Sequence, residues 1–346
     1  MKLQFAILIL SSVFTVSCSL VRGSSGISDD NEVSENSIQL PALRANAGRV
    51  TVSGLSAGAF MATQLQVAYS GTFSGVGSIA GGPWNCSRGS VFRALDECTD
   101  HPDNLVAEPL IAAAKLAATN GEIDPLEHLR NIKVYLFNSP QDSVVKAPML
   151  SKTLDFYSAF VPAGSIKAED TIVTEHTFPT IDYGVDCSSV KSPFIGKCGF
   201  DGAGALLGFI NSATVLAKLP LVRTSLRAFD QSEFDVTLGS ANLAEKGWIY
   251  VPAFCEKSGA DCSVHVALHG CLQGTEKVKQ AFVTHAGYNE WAEGSHIIVI
   301  YPQTRSRWDN PKGCFDWFGY TGSNFATKSG PQMKAIKAMV DRVLSH

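Results

Sequence analysis

Gly54-Leu55-Ser56-Ala57-Gly58 sets a serine between two glycines at GxSxG spacing. In a chain with 30 glycines that spacing alone says little, and its surroundings give it meaning. Val50, Thr51 and Val52 before it include β-branched residues suited to a strand, and Ala59-Phe60-Met61-Ala62-Thr63-Gln64-Leu65 after it reads as a helix. Strand, sharp turn and helix together make a nucleophile elbow. The glycines tolerate the turn, and Ser56 is lifted to the end of a sheet beside helical N–H groups that favour developing negative charge.

A serine hydroxyl attacks only when a base removes its proton, and that base needs a carboxylate to orient it. With this elbow the chain order is serine, acid, histidine. Asp142 follows the apolar run Val134-Tyr135-Leu136-Phe137 through the loop Asn138-Ser139-Pro140-Gln141, where the acid belongs. His176 closes the run Ile172-Val173-Thr174-Glu175 and is the leading base. Asp155, Asp170 and Asp182 are rivals for the acid. Of the remaining histidines, His101 and His128 stand in polar surroundings, His285 sits inside a helical pattern, and His265 and His269 belong to a strand and its exit.

Acyl transfer also requires two backbone donors aimed at the tetrahedral oxyanion. The Ala57 N–H, directly after the nucleophile, is the first. The second usually comes from a His-Gly loop upstream of the elbow. Here the matching segment, Val264-His265-Val266-Ala267-Leu268-His269-Gly270-Cys271-Leu272-Gln273, lies far downstream, so the two halves stand in exchanged order.

Taken together, several segments resemble the extracellular short-chain-length polyhydroxyalkanoate depolymerases. Leu268-His269-Gly270-Cys271-Leu272-Gln273, Ile300-Tyr301-Pro302-Gln303 and Cys314-Phe315-Asp316-Trp317-Phe318 look like the oxyanion half of that family, and Val52 to Met61 looks like its elbow half. The reversed order is similar to the circularly permuted, single-domain type, and joining the C-terminal helix to the strand at Arg49 would restore the usual one. The resemblance covers nearly all of residues 49–344.

It implies an α/β-hydrolase fold, a mainly parallel sheet flanked by helices, and Ser56, Asp142 and His176 as a triad. It also implies main-chain oxyanion donors at Ala57 and Cys271, a polyester of short hydroxyacids as substrate, and no cofactor. His269 then shapes its loop. Many members append a polymer-binding domain; this chain ends just after its last helix, so exposed aromatics such as Trp308 and Trp317 are the expected polymer contacts. The runner-up reading is the same triad acting on soluble short acyl or feruloyl esters.

The elements that must position these groups alternate along the chain, as in an α/β layered fold. Strands are expected at Arg49–Ser53, Lys133–Phe137, Thr171–Glu175, Trp248–Val251, Val264–Leu268 and Ile297–Tyr301. Helices are expected at Ala59–Tyr69, Pro109–Thr119, Pro148–Phe160, Ala203–Leu216, Val278–Glu293 and Pro331–Leu344, the last with Met333, Ile336, Met339, Val340 and Val343 at helical spacing.

Of the 346 residues, 45% are hydrophobic and 17% charged, which gives ample material for a large core, and the net charge of −4 offers no basic excess for a phosphate backbone. Residues 1–23, with Lys2 and an apolar run that ends in small residues, read as a signal peptide for secretion. A lipid anchor through Cys18 is the alternative, with Thr15 where an aliphatic residue is usual. Residues 24–37 read as a polar tether and 38–346 as a single catalytic domain, expected to be monomeric and without a membrane span.

Removing Cys18 from the nine cysteines leaves an even number for disulfides in an exported chain. Cys86 with Cys98, Cys187 with Cys198, and Cys255 with Cys262 are near enough for local loops, leaving Cys271 for Cys314. No Cys-x-x-Cys pair occurs, and no structural metal is expected.

Overall fold

The central strands of this computed structural model are buried along their whole length, because each carries mainly apolar or small side chains on both faces and the exception, His265, is hydrogen-bonded through both ring nitrogens. The structure describes residues 33–211, 216–235 and 239–346. The residues read as a signal peptide, Cys18 among them, and most of those read as a polar tether lie outside the described residues. Val33–His346 forms one compact unit.

Among the described residues, eight strands make the main sheet in the order β4-β3-β2-β1-β10-β11-β9-β8. They are β1 (Val50–Leu55), β2 (Phe73–Ile79), β3 (Lys133–Phe137), β4 (Ile166–Glu169), β8 (Leu226–Asp230), β9 (Lys246–Tyr250), β10 (Ser263–Leu268) and β11 (Ile297–Tyr301). Neighbours pair in parallel from β4 to β11, and β9 alone runs against the others. A small second sheet holds β5 (Phe178–Thr180), β6 (Val185–Asp186) and β7 (Ile195–Lys197).

Helices flank the main sheet: α1 (Ala57–Ala68), α2 (Val91–Leu95), α3 (Ala107–Thr119), α4 (Met149–Ser158) and α5 (Gly202–Ile210), then α6 (Thr275–Val278), α7 (Ala281–His285), α8 (Tyr288–Ser295) and α9 (Pro331–Leu344). Every residue of α1 is buried. In α9 the expected stripe of Met333, Ile336, Met339, Val340 and Val343 is the face turned to the core.

Three expectations about elements are corrected. Thr171–Glu175 is not a strand. The edge strand is β4 just upstream, whose central Lys167 and Ala168 are exposed and give no alternating pattern. Val278–Glu293 is three short helices, since Lys279 (φ 52°) and Gly287 (φ 85°) take left-handed conformations that end one helical turn before the next begins. The helix expected to run to Leu216 ends at Ile210.

Strand β2, FSGVGSI, was not expected. Its glycines permit close packing: a Cβ on Gly75 would stand 2.9 Å from Ile210 of the flanking helix α5, and one on Gly77 would stand 3.0 Å from Ser53 in the neighbouring strand β1.

The ends of the unit are tied to its body. Gln280 brackets Val33, accepting from its N–H and donating to its C=O at 2.8 Å each. Ile38 bridges to Phe229 at the sheet edge. The Arg44 N–H donates to the Ser345 carbonyl at 3.1 Å, which sets the segment leading into β1 beside the end of α9.

All four expected disulfides form: Cys86–Cys98, Cys187–Cys198, Cys255–Cys262 and Cys271–Cys314. Among the described residues, no helix is long and apolar enough to cross a membrane, and no group of three or more ligating side chains could hold a metal ion.

Candidate active site

Ser56 occupies the single-residue turn between β1 and α1, with φ 56° and ψ −125°. A non-glycine residue rarely adopts this conformation, and here surrounding contacts impose it. The Ser56 N–H donates to Ile79 at 2.9 Å, and its carbonyl accepts from the Ala59 and Phe60 amides. Both motif glycines are sterically required. A Cβ on Gly54 would lie 2.4 Å from the backbone of Gly58, and one on Gly58 would lie 2.4 Å from the Leu268 carbonyl oxygen. The elbow therefore packs backbone to backbone against the exit of β10.

Asp142 and His176 meet 34 residues apart in sequence. The His176 Nδ1–H donates to Asp142, 2.8 Å from Oδ2 and 3.1 Å from Oδ1. Both residues are nearly buried, at 6% and 5% exposure, so the bond is shielded from water. With Nδ1 so engaged, the lone pair on Nε2 is free to accept a proton. Asp142 Oδ1 also accepts from the Val144 and Val145 amides at 2.9 and 2.8 Å, which fixes the carboxylate. Ser139 clamps the two loops: its Oγ donates to the Thr174 carbonyl at 2.6 Å and accepts from the Thr174 amide at 2.8 Å. The residues sequence had taken for a strand serve here as an anchored loop that carries the imidazole.

Ser56, His176 and Cys271 all line one cavity of about 470 Å³. Its remaining wall is largely apolar and includes Phe60, Phe194, Trp317 and Phe318. Ala57 begins α1 and Cys271 lies in a turn, and among the described residues neither N–H has a protein acceptor. Ala57 is buried and Cys271 partly so, and two amides left without a protein acceptor beside Ser56 suit an incoming oxyanion.

The Cys271 loop is rigidly held. The Gly270 N–H donates to Gln273 Oε1 at 2.8 Å, and Gln273 Nε2 donates in turn to the Phe194 carbonyl at 2.9 Å. Leu272 adopts φ 60° and donates to Lys312 O at 2.7 Å, while the disulfide ties Cys271 to Cys314.

The rival groups are accounted for elsewhere. Asp155, Asp170 and Asp182 are exposed, and His128 is too. His101 pairs with Asp96 at 2.7 Å, and His285 stacks on Tyr183. His269 Nδ1–H donates to the Gly270 carbonyl at 2.7 Å and its Nε2 accepts from the Thr304 amide at 3.3 Å; burial pushes its pKa down to about 4. His265 is bonded through both nitrogens, to Thr51 and Ser53 hydroxyls at 2.8 Å each, and burial pushes it down to about 3. Neither has a nitrogen free to serve as a base.

Of the two tryptophans, Trp317 lies on the cavity wall, stacked on Phe60 with ring centroids 4.4 Å apart. Trp308 is not on that wall and stands 89% exposed beside Asp309, which is. Sequence reasoning missed Glu175. One of its carboxylate oxygens accepts from the Ser143 amide at 3.0 Å and from the His176 amide at 3.2 Å. As the last residue of an apolar run, it carried no sign of this role.

The mainly parallel sheet, the elbow at the end of its central strand β1 and the flanking helices define an α/β-hydrolase. No protein-family model matches the chain. It is 34% identical over 322 residues to the polyhydroxybutyrate depolymerase of Talaromyces funiculosus, covering 88% of this chain and 92% of that one. It is 44% identical over 314 residues to the poly(3-hydroxybutyrate) depolymerase of Delftia acidovorans, covering 89% of this chain but 62% of that longer protein.

Among solved structures, the PHB depolymerase from Penicillium funiculosum matches with a TM-score of 0.81 at 33% identity, over 89% of this chain and 99% of that one. A serine-to-alanine PHB depolymerase complexed with an R3HB trimer matches with a TM-score of 0.82 at 32% identity, with the same coverage. The chain belongs to the polyhydroxybutyrate depolymerase family.

Proposed function

We propose that this chain is a secreted serine esterase that hydrolyses ester bonds of poly(3-hydroxybutyrate)-like polyesters through an acyl-enzyme. The observation that carries the reading is the placement of Ser56, His176 and the Cys271 loop on one apolar cavity, with Asp142 bonded to the far side of the imidazole. The names of the relatives supply the substrate class.

In this mechanism Ser56 Oγ attacks the ester carbonyl while His176 Nε2 accepts the hydroxyl proton. The tetrahedral oxyanion is held by the Ala57 and Cys271 amides. His176 then protonates the departing alkoxide, and a water molecule, deprotonated by the same nitrogen, releases the acyl group as a hydroxyacid. Asp142 stabilises the imidazolium and fixes its tautomer.

The rim of the cavity favours a polymer over small soluble esters. Val91, Leu95, Val144 and Val190 line it and are themselves exposed, Leu95 at 61%. Phe92 on the same short helix and Trp308 extend the apolar surface outward, at 82% and 89% exposure. Such a cluster around a cleft suits contact with a water-insoluble chain.

The exchanged order of the two halves supports a circular permutation, for which the Arg44–Ser345 contact supplies neighbouring ends. The four disulfides support passage through an oxidising compartment.

A polymer film and a soluble butyrate ester, assayed side by side with the parent and Ser56→Ala, test the proposal. Film clearing by the parent and loss of both activities in Ser56→Ala are expected. Turnover of the soluble ester alone would sink the polyester assignment, and unimpaired Ser56→Ala would sink the mechanism.

A further inference from the structure

We infer that Glu175 is a positioning residue whose carboxylate sets the acid loop and the base loop in register, an inference that rests on the triad proposed above. Three consecutive amides in the acid loop end on two carboxylates. The Ser143 N–H goes to Glu175 Oε2 at 3.0 Å, and those of Val144 and Val145 go to Asp142 Oδ1 at 2.9 and 2.8 Å. The same Glu175 oxygen accepts from the amide of His176 at 3.2 Å. One atom therefore bridges the residue after the acid to the backbone of the base.

The bridge is effective because its own foundation is fixed. The Glu175 N–H donates to the Cys187 carbonyl at 2.7 Å, and Cys187 is linked to Cys198. The Thr174 hydroxyl donates to the Glu175 carbonyl at 2.8 Å. Ser139 joins the same two loops through Thr174, so it ties the exit of β3 to the loop before His176 but does not itself bond the Ser143 or His176 amides. Without Glu175 the Ser143 and His176 amides lose their common acceptor. The Asp142–His176 bond must then hold itself in place, and small displacements of a catalytic group are expensive in rate.

Because Glu175 acts through its neighbours and touches no reacting atom, its removal should lower kcat and leave KM nearly unchanged. For Glu175→Ala on a soluble butyrate ester we expect kcat to fall about 10- to 100-fold, with KM within about twofold. Glu175→Gln keeps an oxygen that can accept both bonds and should restore kcat to within about threefold of the parent. Glu175→Asp keeps the charge but withdraws the carboxylate by one methylene, and should behave like the alanine variant; it decides the matter if Glu175→Ala does not fold. In an Asp142→Asn background, Glu175→Ala should cost less than about threefold more, since the geometry it protects no longer operates.

An unimpaired kcat in Glu175→Ala or Glu175→Asp, a glutamine variant as poor as alanine, or losses that multiply in the double variant would each overturn the inference. Ser56→Ala in the same assay separates the two levels. If Ser56→Ala is inactive and Glu175→Ala is not impaired, only Glu175 loses its role, whereas an active Ser56→Ala removes the triad itself.

Discussion

Gly58, two residues after the elbow serine, packs directly on the carbonyl of Leu268: a Cβ at position 58 would lie 2.4 Å from Leu268 O and 2.5 Å from His269 O. Both obstacles are backbone, so neither can swing aside. Gly58→Ala must push α1 from the exit of β10, and thus Ala57 from the Cys271 loop. We expect kcat on a soluble ester to fall by about tenfold or more, together with a lower Tm. Parent-like kcat in a folded Gly58→Ala protein would show that the two amides need not be held at this spacing.

Asp142 bonds to His176 Nδ1 and to two amides of its own loop. Asp142→Asn retains the shape but presents an amide that can donate to Nδ1 and so favours the wrong tautomer. The expected loss in kcat is about three to four orders of magnitude, with the protein still folded. Steady-state kinetics with circular dichroism on the same sample checks both halves of this statement.

Stability should fall with acid before most carboxylates titrate. His265 and His269 are buried neutral, with pKa values pushed down to about 3 and about 4. In the unfolded chain each returns to about 6.5, so below that pH the unfolded state binds protons that the native state refuses. Their contribution is intact above pH 6.5 and is lost as pH falls toward 4 and 3, each histidine adding a slope of about 1.4 kcal/mol per pH unit. Urea unfolding from pH 7.5 to 5 should show this decline, and His269→Gln should reduce its slope by about half. A midpoint independent of pH over that range would contradict the burial of these rings.

The disulfides should separate into two functional kinds. Cys271–Cys314 closes a separation of 43 residues and Cys255–Cys262 one of 7, so chain entropy assigns them about 4 and about 2.5 kcal/mol respectively. Replacing either pair by serines should lower Tm. Only loss of Cys271–Cys314 should also lower kcat at a temperature where both variants are folded, because both of its cysteines line the cavity and the other pair does not. Equal kcat in the two variants would mean that the loop keeps its shape without the cross-link.

Much of the proposed site was legible because its parts carry local signals. GxSxG between a β-branched run and a helix marks Ser56, and a polar loop after Val134–Phe137 marks Asp142. His176 was read as the base for a reason that was half mistaken: the run before it is a loop pinned by Ser139 and Cys187. β-Branched residues there cover the protein without pairing in a sheet. Glu175 was invisible since its role depends on two backbone amides, and no side-chain pattern encodes those. Strand β2 escaped notice for the opposite reason. Its glycines lack the bulk that marks a strand, yet close approach of Ile210 and Ser53 requires that lack. The reading of α6 to α8 as one helix failed at Lys279, whose left-handed backbone nothing in its side chain foretells.

The contact between Arg44 and Ser345 has a practical side. Both flank the starting end of β1, where Asn46 N–H meets Cys262 O, whereas Ser56 follows the finishing end, six residues and about 20 Å along. A tag, tether or solid support attached near either residue would leave from the rim of the sheet opposite the cleft. Immobilised in that way, the molecule would present its apolar mouth outward, toward whatever surface it is brought to meet.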